Sequence, residues 1–331
     1  MYQPEAYGIA LAFMLISMIC WGSWANTMKL TPGWRFQLFY WDYTLGVLLM
    51  SLVWGLTLGN TDDGPLSFFR NLQQAGTAKI FLALLGGVVF NVANLLLVAA
   101  IEIAGLAVAF PIGIGLALVE GVALNYILAP RGNPVLLFGG LILVILAIVC
   151  DALAYRRKEV GRSETSRKGI ALSVACGVLM GLFYPFVTKA ITGEDALGPY
   201  TVGFVFAVGI LICTVPANYF LMRFPVAGGG PVSFKEYVSA RASWHLFALI
   251  GGLIWCTGTV LNFVAANAQL VGPAVSYAIG NGATMVSAIW GVFLWKEFSG
   301  APAAALRLLA LMFALFIVGL GAIAVAPIVK F

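Results

Sequence analysis

Charged side chains are scarce in this sequence: Asp, Glu, Lys and Arg together make up 9% of its 331 residues, whereas 62% are hydrophobic. Soluble domains carry about 25% charged residues, and a soluble core built from a chain of this length has no room for so much apolar surface. The scarcity of charge therefore excludes a soluble protein. The apolar runs are also continuous and do not alternate with polar residues, which excludes a transmembrane β-barrel.

Histidine occurs once and cysteine five times, and neither residue forms a metal-binding or catalytic pattern. All cysteines lie within apolar segments, and no two have the spacing of metal ligands. They are Cys20, Cys150, Cys176, Cys213 and Cys256. His245 stands at the start of an apolar segment, where an interfacial position is expected. The sequence also lacks a Gly-rich phosphate loop followed by Lys and Ser or Thr. We therefore expect no catalytic residue, no metal and no cofactor, which excludes an enzyme and a primary pump.

Ten apolar segments are long enough to cross a bilayer as helices, for which about 20 residues are needed. They cover roughly residues 7–29, 37–58, 78–101, 105–129, 134–155, 169–190, 198–222, 244–267, 271–295 and 304–328. The sequence thus predicts an all-α membrane protein with ten transmembrane helices. The first segment lacks a basic leader and a small-residue cleavage site, so we interpret it as a spanning helix and not as a removed signal peptide.

Basic residues are distributed unevenly over the connections. Six of the 18 fall between segments 5 and 6, which is typical of a cytoplasmic loop. They are Arg156, Arg157, Lys158, Arg162, Arg167 and Lys168. With the N-terminus outside, thirteen basic residues lie on the cytoplasmic side and five outside. This asymmetry predicts both termini on the periplasmic side of a bacterial inner membrane, and it accounts for the net charge of +5 without nucleic-acid binding.

The two halves of the chain repeat a pattern of small residues. Gly86-Gly87 opens segment 3 and Gly251-Gly252 opens segment 8, and each pair is followed in the same order by Ala-Ala, a single Gly and Ile-Gly. Because each half has five segments, an odd number, the second half would enter the membrane from the opposite side. The predicted parts are a first five-helix repeat, a basic cytoplasmic linker and a second, inverted five-helix repeat: residues 1–158, 159–168 and 169–331. Chance similarity between Gly- and Ala-rich helices is the alternative.

Segment 4 carries one acidic residue, Glu120, in an otherwise apolar stretch from Ala104 to Ala129. At 1.5 Å per residue, Glu120 lies roughly 20 Å into a hydrocarbon core about 30 Å thick. A carboxylate at this depth costs at least about 2.5 kcal/mol unless it faces a cavity or a partner. We therefore interpret Glu120 as the candidate for proton coupling. The alternative is a neutral Glu120 that is bonded to a carbonyl and serves packing only.

Segments 4 and 9 both contain helix-breaking residues at matching positions. They are Pro111, Gly113 and Gly115 in segment 4, and Gly280 and Gly282 in segment 9. Proline removes a backbone donor and glycine loosens a helix, and backbone groups freed at membrane depth must be satisfied by protein or water. The match predicts a gate or helix break at a solute site between these segments. Close packing through small residues is the alternative.

Polar and aromatic side chains recur on segments 1, 3, 6, 8 and 9. Carboxamides and hydroxyls offer donors and acceptors to a neutral solute, and aromatic faces stack on flat rings or sugars. The candidates for solute binding are Trp21, Trp24, Asn91, Asn94, Tyr184, Trp255, Thr259, Asn262, Tyr277 and Asn281. Interhelical hydrogen bonds and interfacial aromatic belts are the alternatives. Asp42 is expected to act as a cap or to pair with Lys29 or Arg35, and Asp151 is expected to pair at the membrane interface.

These segments resemble the drug/metabolite transporter superfamily, and within it the branch of ureide permeases and glucose/ribose porters. The motifs that carry the resemblance are Trp21-Gly22-Ser23-Trp24, Trp41-Asp42-Tyr43, Gly86-Gly87-Val88-Val89 and Trp290-Gly291-Val292-Phe293-Leu294-Trp295-Lys296-Glu297. The resemblance implies a cavity lined by helices 1, 3, 4, 6, 8 and 9, with helices 5 and 10 peripheral. It also implies import of allantoin, uracil and related heterocycles with protons, as by ureide permeases, or of monosaccharides, as by porters. One feature departs from the family: plant ureide permeases have a much longer central loop.

The sequence therefore predicts a secondary-active, proton-coupled importer of a small neutral polar solute that works by alternating access. A ureide or nucleobase-like heterocycle is the first solute class and a monosaccharide the second. The expected partners are this solute, a proton with sodium as the alternative ion, the lipid bilayer and, as a candidate assembly, a second copy in a homodimer; nucleic acid is not expected. The rival functions are export of amphipathic or cationic compounds and a membrane receptor that does not transport.

Overall fold

The computed structural model describes residues 1–61, 67–158, 167–226 and 230–329, and this part of the chain forms no β-strand. Ten of its helices are long and apolar enough to cross a membrane, which confirms the predicted all-α membrane fold. They are α1 (Tyr7–Ser23), α2 (Phe36–Leu56), α3 (Thr77–Ala104), α4 (Leu106–Leu128), α5 (Pro134–Lys158), α6 (Arg167–Ala190), α7 (Pro199–Arg223), α8 (Ala242–Asn267), α9 (Pro273–Leu294) and α10 (Ala303–Val325). Shorter helices follow α1 and α2 or lie in connections: Asn26–Lys29, Leu58–Asn60, Phe68–Gln74 and Phe234–Val238. Most of the predicted linker, with Arg162, lies outside the described residues.

Two glycines set the tight connections α3–α4 and α8–α9. Gly105 has φ 79° and Gly272 has φ 92°, a backbone region in which a residue with a Cβ is strained. At these glycines the chain changes direction between consecutive spanning helices, and the two connections lie at matching positions in the two predicted repeats.

Glycines also bring helix backbones into direct contact. A Cβ at Gly87 of α3 would collide with the carbonyl oxygen of Phe206 in α7, and a Cβ at Gly252 of α8 would collide with that of Tyr43 in α2. Close approach through small residues is a main source of helix association in lipid. The two contacts are equivalent in the predicted repeats, because α3 and α2 of the first repeat correspond to α8 and α7 of the second.

The other large helix contacts follow the same exchange. Helix α3 packs on α6 as α1 packs on α8, and α4 packs on α6 as α1 packs on α9. Helices α5 and α10 pack on each other at Gly140 and Gly319. A Cβ at Gly140 would lie 2.5 Å from the carbonyl oxygen of Gly319, and a Cβ at Gly319 would lie 2.8 Å from that of Gly140. This reciprocal packing is compatible with the predicted internal repeat.

The two segments with matched helix breakers differ in the structure. Helix α9 is interrupted: its first part ends at Gly280, its second part begins at Ala283, and a π-helical turn follows over Trp290–Leu294. Helix α4 runs without interruption through Pro111, so the expected break in segment 4 is wrong. Pro111 lies in the second turn of α4, where it removes one donor from the ladder while the residues on either side continue the helix.

Candidate functional site

A cavity of about 450 Å³ is lined by residues from α1 and the short helix after it, from the first residue of α2, and from α3, α4, α5, α6, α8 and α9. This volume is within the range of small-molecule sites. The lining extends from Phe183 and Trp255, in the middle of their helices, to Met28, Glu102 and Tyr155 near helix ends. These ends belong to the connections α1–α2, α3–α4 and α5–α6. The cavity therefore opens at the face that these connections form, which we call the mouth.

Four rings form the end of the cavity farthest from the mouth, and we call them the aromatic floor: Trp21, Phe90, Phe183 and Trp255. Trp255 stacks on Phe90 with ring centroids 4.6 Å apart and on Trp21 at 6.4 Å, and Phe183 meets Phe90 edge-on at 5.2 Å. Such ring arrangements are worth about 0.5–1.5 kcal/mol per pair beyond their buried area. The floor is therefore held by its own contacts and presents flat apolar faces to the cavity.

A few polar groups complete the cavity wall. Asn94 donates from Nδ2 to the hydroxyl of Tyr40 at 3.1 Å, and Asn281 donates from Nδ2 to the carbonyl oxygen of Tyr277 at 2.9 Å. In the described part of the chain, neither carboxamide Oδ1 accepts a hydrogen bond, and the hydroxyl of Ser287 has no partner. Two acceptors and one hydroxyl are thus free to bind a polar solute above the aromatic floor.

The structure places six of the ten predicted solute-binding residues on the cavity wall: Trp21, Trp24, Asn94, Trp255, Tyr277 and Asn281. The remaining four are buried behind the wall, where they bond to other helices. Tyr184 donates to Oδ1 of Asn262 at 2.5 Å, Asn91 accepts from Tyr40 at 2.7 Å, and Thr259 accepts from Nε1 of Trp21 at 3.0 Å. These four residues position the wall and do not line it.

Glu120 does not line the cavity. Its partly exposed side chain lies against α6 at Gly181, where an added Cβ would be 2.9 Å from the carboxylate Oε2. Of the predicted gate residues, Gly280 has a clear steric reason: an added Cβ would be 2.7 Å from both the Trp21 ring and Nδ2 of Asn262. A Cβ at Gly115 would meet nothing within 4 Å, and one at Gly113 would make ordinary contacts with α6.

Helix α5 contributes two residues to the wall, Asp151 and Tyr155, although the family resemblance implied that helix 5 is peripheral. Asp151 is 5% exposed, and its Oδ1 has no hydrogen-bond partner in the part of the chain that the structure describes. The expected pairing of Asp151 at the interface is therefore wrong. The two residues are four apart, a spacing that puts them on one face of a helix. This spacing was the one sequence feature that could have indicated that they line the cavity together.

Charged groups cluster at the mouth around Glu297, in the connection α9–α10. Lys29 forms an ion pair with Glu297, and Tyr155 donates to its Oε2 at 2.6 Å. Burial by itself would raise the pKa of Glu297, but the hydrogen bonds from Lys29 and Tyr155 and the positive charges of Lys29 and Lys158 together lower it. Lys29 also lies 4.9 Å above the ring of Trp295. The cluster ties α1 and α5 to the end of α9.

Asp42 has different partners from those expected. It accepts a hydrogen bond from Tyr237 at 2.7 Å, and its other oxygen lies 2.7 Å from Nδ1 of His245. The predicted pairing with Lys29 or Arg35 is wrong, because Lys29 is bound to Glu297. No sequence pattern indicated that the connection α7–α8 folds back onto α2.

The family model of the ureide permeases matches this chain twice, over residues 39–164 and 161–326. The chain belongs to the ureide permease family. The two matched stretches meet in the connection α5–α6. This membership confirms the resemblance that the sequence motifs indicated, and it makes the chain a membrane transporter and not an enzyme.

Two relatives illustrate the range of this ureide permease family member. Ureide permease 1 of Arabidopsis thaliana is 25% identical over 96% of this chain and 97% of its own length. A protein of Listeria monocytogenes whose name points to sugar uptake is 27% identical over 73% of this chain and 78% of its own. A solved crystal structure covers 95% of both chains with a TM-score of 0.62 at 16% identity, a likeness that shows the fold alone.

Proposed function

We propose that this ureide permease family member is a secondary-active importer of a small neutral polar solute, with a ureide or nucleobase-like heterocycle as the first class and a monosaccharide as the second. The names of the relatives support both classes, because they refer to ureides and to sugar uptake. One structural observation carries the proposal: Asn94 and Asn281, whose carboxamide oxygens accept no hydrogen bond from the described residues, line a cavity that ends on stacked aromatic rings.

The chemistry of a planar ureide fits this arrangement. Its flat, weakly polar ring can lie on the aromatic floor, where offset stacking is favourable. Its N–H groups can donate to the free Oδ1 atoms of Asn94 and Asn281, and its carbonyl groups can accept from the hydroxyl of Ser287. A sugar can use the same floor with one apolar face, so the two classes differ mainly in how many hydroxyls the wall must satisfy.

The shape of the cavity supports alternating access. Beyond the aromatic floor, α6 and α8 carry Tyr184 and Phe263, which are fully buried with ring centroids 5.6 Å apart. A buried aromatic layer between the cavity and the far side is what a transporter state open only at the mouth requires. We place the mouth in the cytoplasm, because the connections on this side carry the larger share of Lys and Arg. The interruption of α9 at Gly280 and Gly282 supplies a hinge beside the floor.

Solute counterflow in proteoliposomes tests the proposal. Vesicles that contain the purified protein are loaded with unlabelled allantoin, and radiolabelled allantoin is added outside without any ion gradient. We expect transient accumulation of label, with uracil and D-glucose tested in parallel. The matched control is Trp255→Ala, which removes the central ring of the floor and should slow the exchange.

Three outcomes of this experiment would contradict the proposal. Binding of a probe without counterflow favours a receptor that does not transport. Counterflow of an amphipathic cation such as ethidium, with none of the three neutral probes, favours an exporter. Full counterflow in Trp255→Ala would show that the solute does not contact the aromatic floor.

A further inference from the structure

Asp151 is a buried acid on the wall of the cavity, and one of its carboxyl oxygens has no hydrogen-bond partner among the residues that the structure describes. Its carboxyl group is 5% exposed, it lines the cavity, and Oδ1 forms no hydrogen bond within the described residues. Buried carboxylates are normally paired or hydrogen-bonded, since an isolated one in apolar surroundings is costly. The position therefore calls for a ligand that neutralises the acid.

The neighbouring cations do not fill this role in the structure. Lys29 is paired with Glu297. Lys158 lies over the rings of Tyr155 and Phe298, at 5.7 and 5.2 Å from their centroids. A proton fits a single unpaired carboxyl oxygen in this space, because a proton binds to one oxygen and, unlike a metal ion, needs no further ligands.

Asp151 is mechanically connected to the mouth through its own helix. Tyr155 is one turn farther along α5, and its hydroxyl bonds to Glu297, which in turn holds Lys29 at the end of α1. A movement that opens or closes the mouth must shift α1, α5 or the end of α9 relative to one another. The charge of Glu297 acts on Asp151, so such a movement changes the electrostatic cost of ionising the acid.

We propose that Asp151 is the proton-binding site that couples the driving ion to solute movement, the role that the sequence suggested for Glu120. This inference rests on the proposed function. On one side of the membrane, a hydronium ion transfers its proton to the carboxylate of Asp151 and leaves as water, and the solute binds. After the cavity has opened at the mouth, the O–H bond of the acid breaks, the proton passes to cavity water, and the electron pair remains on Asp151. One proton then crosses with each solute molecule.

Other titratable groups near this site have different surroundings. On α5 itself, Cys150 is next in the chain and Arg156 and Arg157 are exposed. Glu102 of α3 is exposed at the mouth, and Arg307 of α10 is exposed on the outer surface of the bundle. Glu120 of α4 faces Gly181. Among the ionisable side chains that line the cavity, Asp151 is the buried carboxyl and Glu102 the exposed one.

Proton movement and solute exchange, measured separately, test the assignment. Proteoliposomes contain a trapped pH-sensitive dye, and the probe is allantoin or whichever of uracil and D-glucose shows counterflow. Wild-type protein should accumulate the probe up to tenfold under an imposed gradient of one pH unit, the limit for one proton per solute, and should acidify the lumen when the probe is added. Asp151→Asn should bring accumulation to onefold and abolish acidification, but it should retain counterflow.

Glu120→Gln is the matched control and should behave as wild type in all three measurements. Asp151→Glu keeps an ionisable group and should recover part of the acidification, which guards against a variant that fails to fold. Probe-dependent acidification in Asp151→Asn would overturn the assignment, and so would loss of acidification in Glu120→Gln. If the wild-type protein gives counterflow with none of the probes, the proposed function itself has failed; an intact wild type with an unaffected Asp151→Asn refutes the proton site alone.

Discussion

Replacing Gly140 by alanine tests whether α5 and α10 meet backbone to backbone. The added Cβ would lie 2.5 Å from the carbonyl oxygen of Gly319 and 2.7 Å from a side-chain carbon of Ile323. Ordinary contacts begin at about 3.4 Å, so the two helices would have to separate by about 0.9 Å, or the backbone would have to bend. Overpacking of this kind costs about 1–3 kcal/mol.

The cost is partly offset by helix propensity. Alanine in a helix interior is favoured over glycine by about 0.5–1 kcal/mol. The free energy of unfolding of Gly140→Ala should therefore be lower than that of the wild type by roughly 0–2.5 kcal/mol. The neighbouring Gly139 is the matched control, because a Cβ there would meet nothing within 4 Å. Gly139→Ala should therefore gain the propensity term without any cost. The expected difference between the two variants is about 1–3 kcal/mol.

Thermal unfolding of the purified protein in detergent, followed by intrinsic tryptophan fluorescence, measures this difference. On the scale of soluble chains of 150–250 residues, it corresponds to roughly 2–12 °C. Helix α10 offers the same pair of variants: Gly319→Ala should be destabilising and Gly321→Ala should not be, since only Gly319 faces α5. Equal unfolding temperatures for Gly140→Ala and Gly139→Ala would show that α5 and α10 do not meet backbone to backbone at Gly140.

Three further outcomes are expected. Trp255→Ala removes the ring that stacks on Phe90 and on Trp21. Because the stacking energy is about 0.5–1.5 kcal/mol, a solute that lies on the floor should bind about 2- to 12-fold more weakly to this variant. Trp255→Phe should retain most of the affinity, and titration calorimetry with allantoin measures both. Tyr184→Phe removes the hydrogen bond to Asn262 behind the wall, so it should lower thermal stability and leave the dissociation constant for allantoin unchanged; a large loss of affinity would place Tyr184 in the solute site. The pKa of Glu297 is lowered in the folded protein, so its contribution to stability is complete above the ordinary carboxyl pKa of about 4.3 and is lost as the pH falls through the lower folded pKa. The unfolding temperature of Glu297→Gln should therefore decrease less steeply than that of the wild type below about pH 4.3. An equal decrease in both proteins would contradict a stabilising ion pair at Glu297.

The sequence predicted the ten spans because continuous apolar runs at membrane length leave few alternatives to helices. It named Trp21 and Trp255 as candidates because aromatic rings inside a segment can stack on a flat solute, whereas rings of an interfacial belt lie at the segment ends. It did not predict the place of Asp151 on the cavity wall, since Arg156 follows five positions later and the position resembles an interfacial ion pair. The burial of Asp151 depends on how α5 rotates against α10 and α4, which no local pattern specifies.

Glu120 shows the opposite difficulty. Its depth in segment 4 could be counted from the sequence, but its face could not, because apolar residues such as Leu118, Val119 and Val122 surround it and leave no distinct apolar stripe to orient the helix. Gly181 of α6 provides the space that the side chain occupies, and this contact joins residues about 60 positions apart. The continuity of α4 through Pro111 is likewise decided by position within the helix and not by the presence of proline.

The proposed transport requires a water-filled cavity that opens at one face and holds the solute, and labelling of a cysteine in the cavity wall tests this directly. Ser287→Cys places a thiol on the wall, and Phe293→Cys, at a side chain that is 70% exposed on the outside of the bundle, is the control. A membrane-impermeant maleimide is added to intact cells and to inside-out vesicles, and labelled peptides are identified by mass spectrometry. We expect labelling of position 287 in the inside-out vesicles only, slowed several-fold by allantoin. Labelling from intact cells only, or a rate that no tested solute alters, would contradict the account.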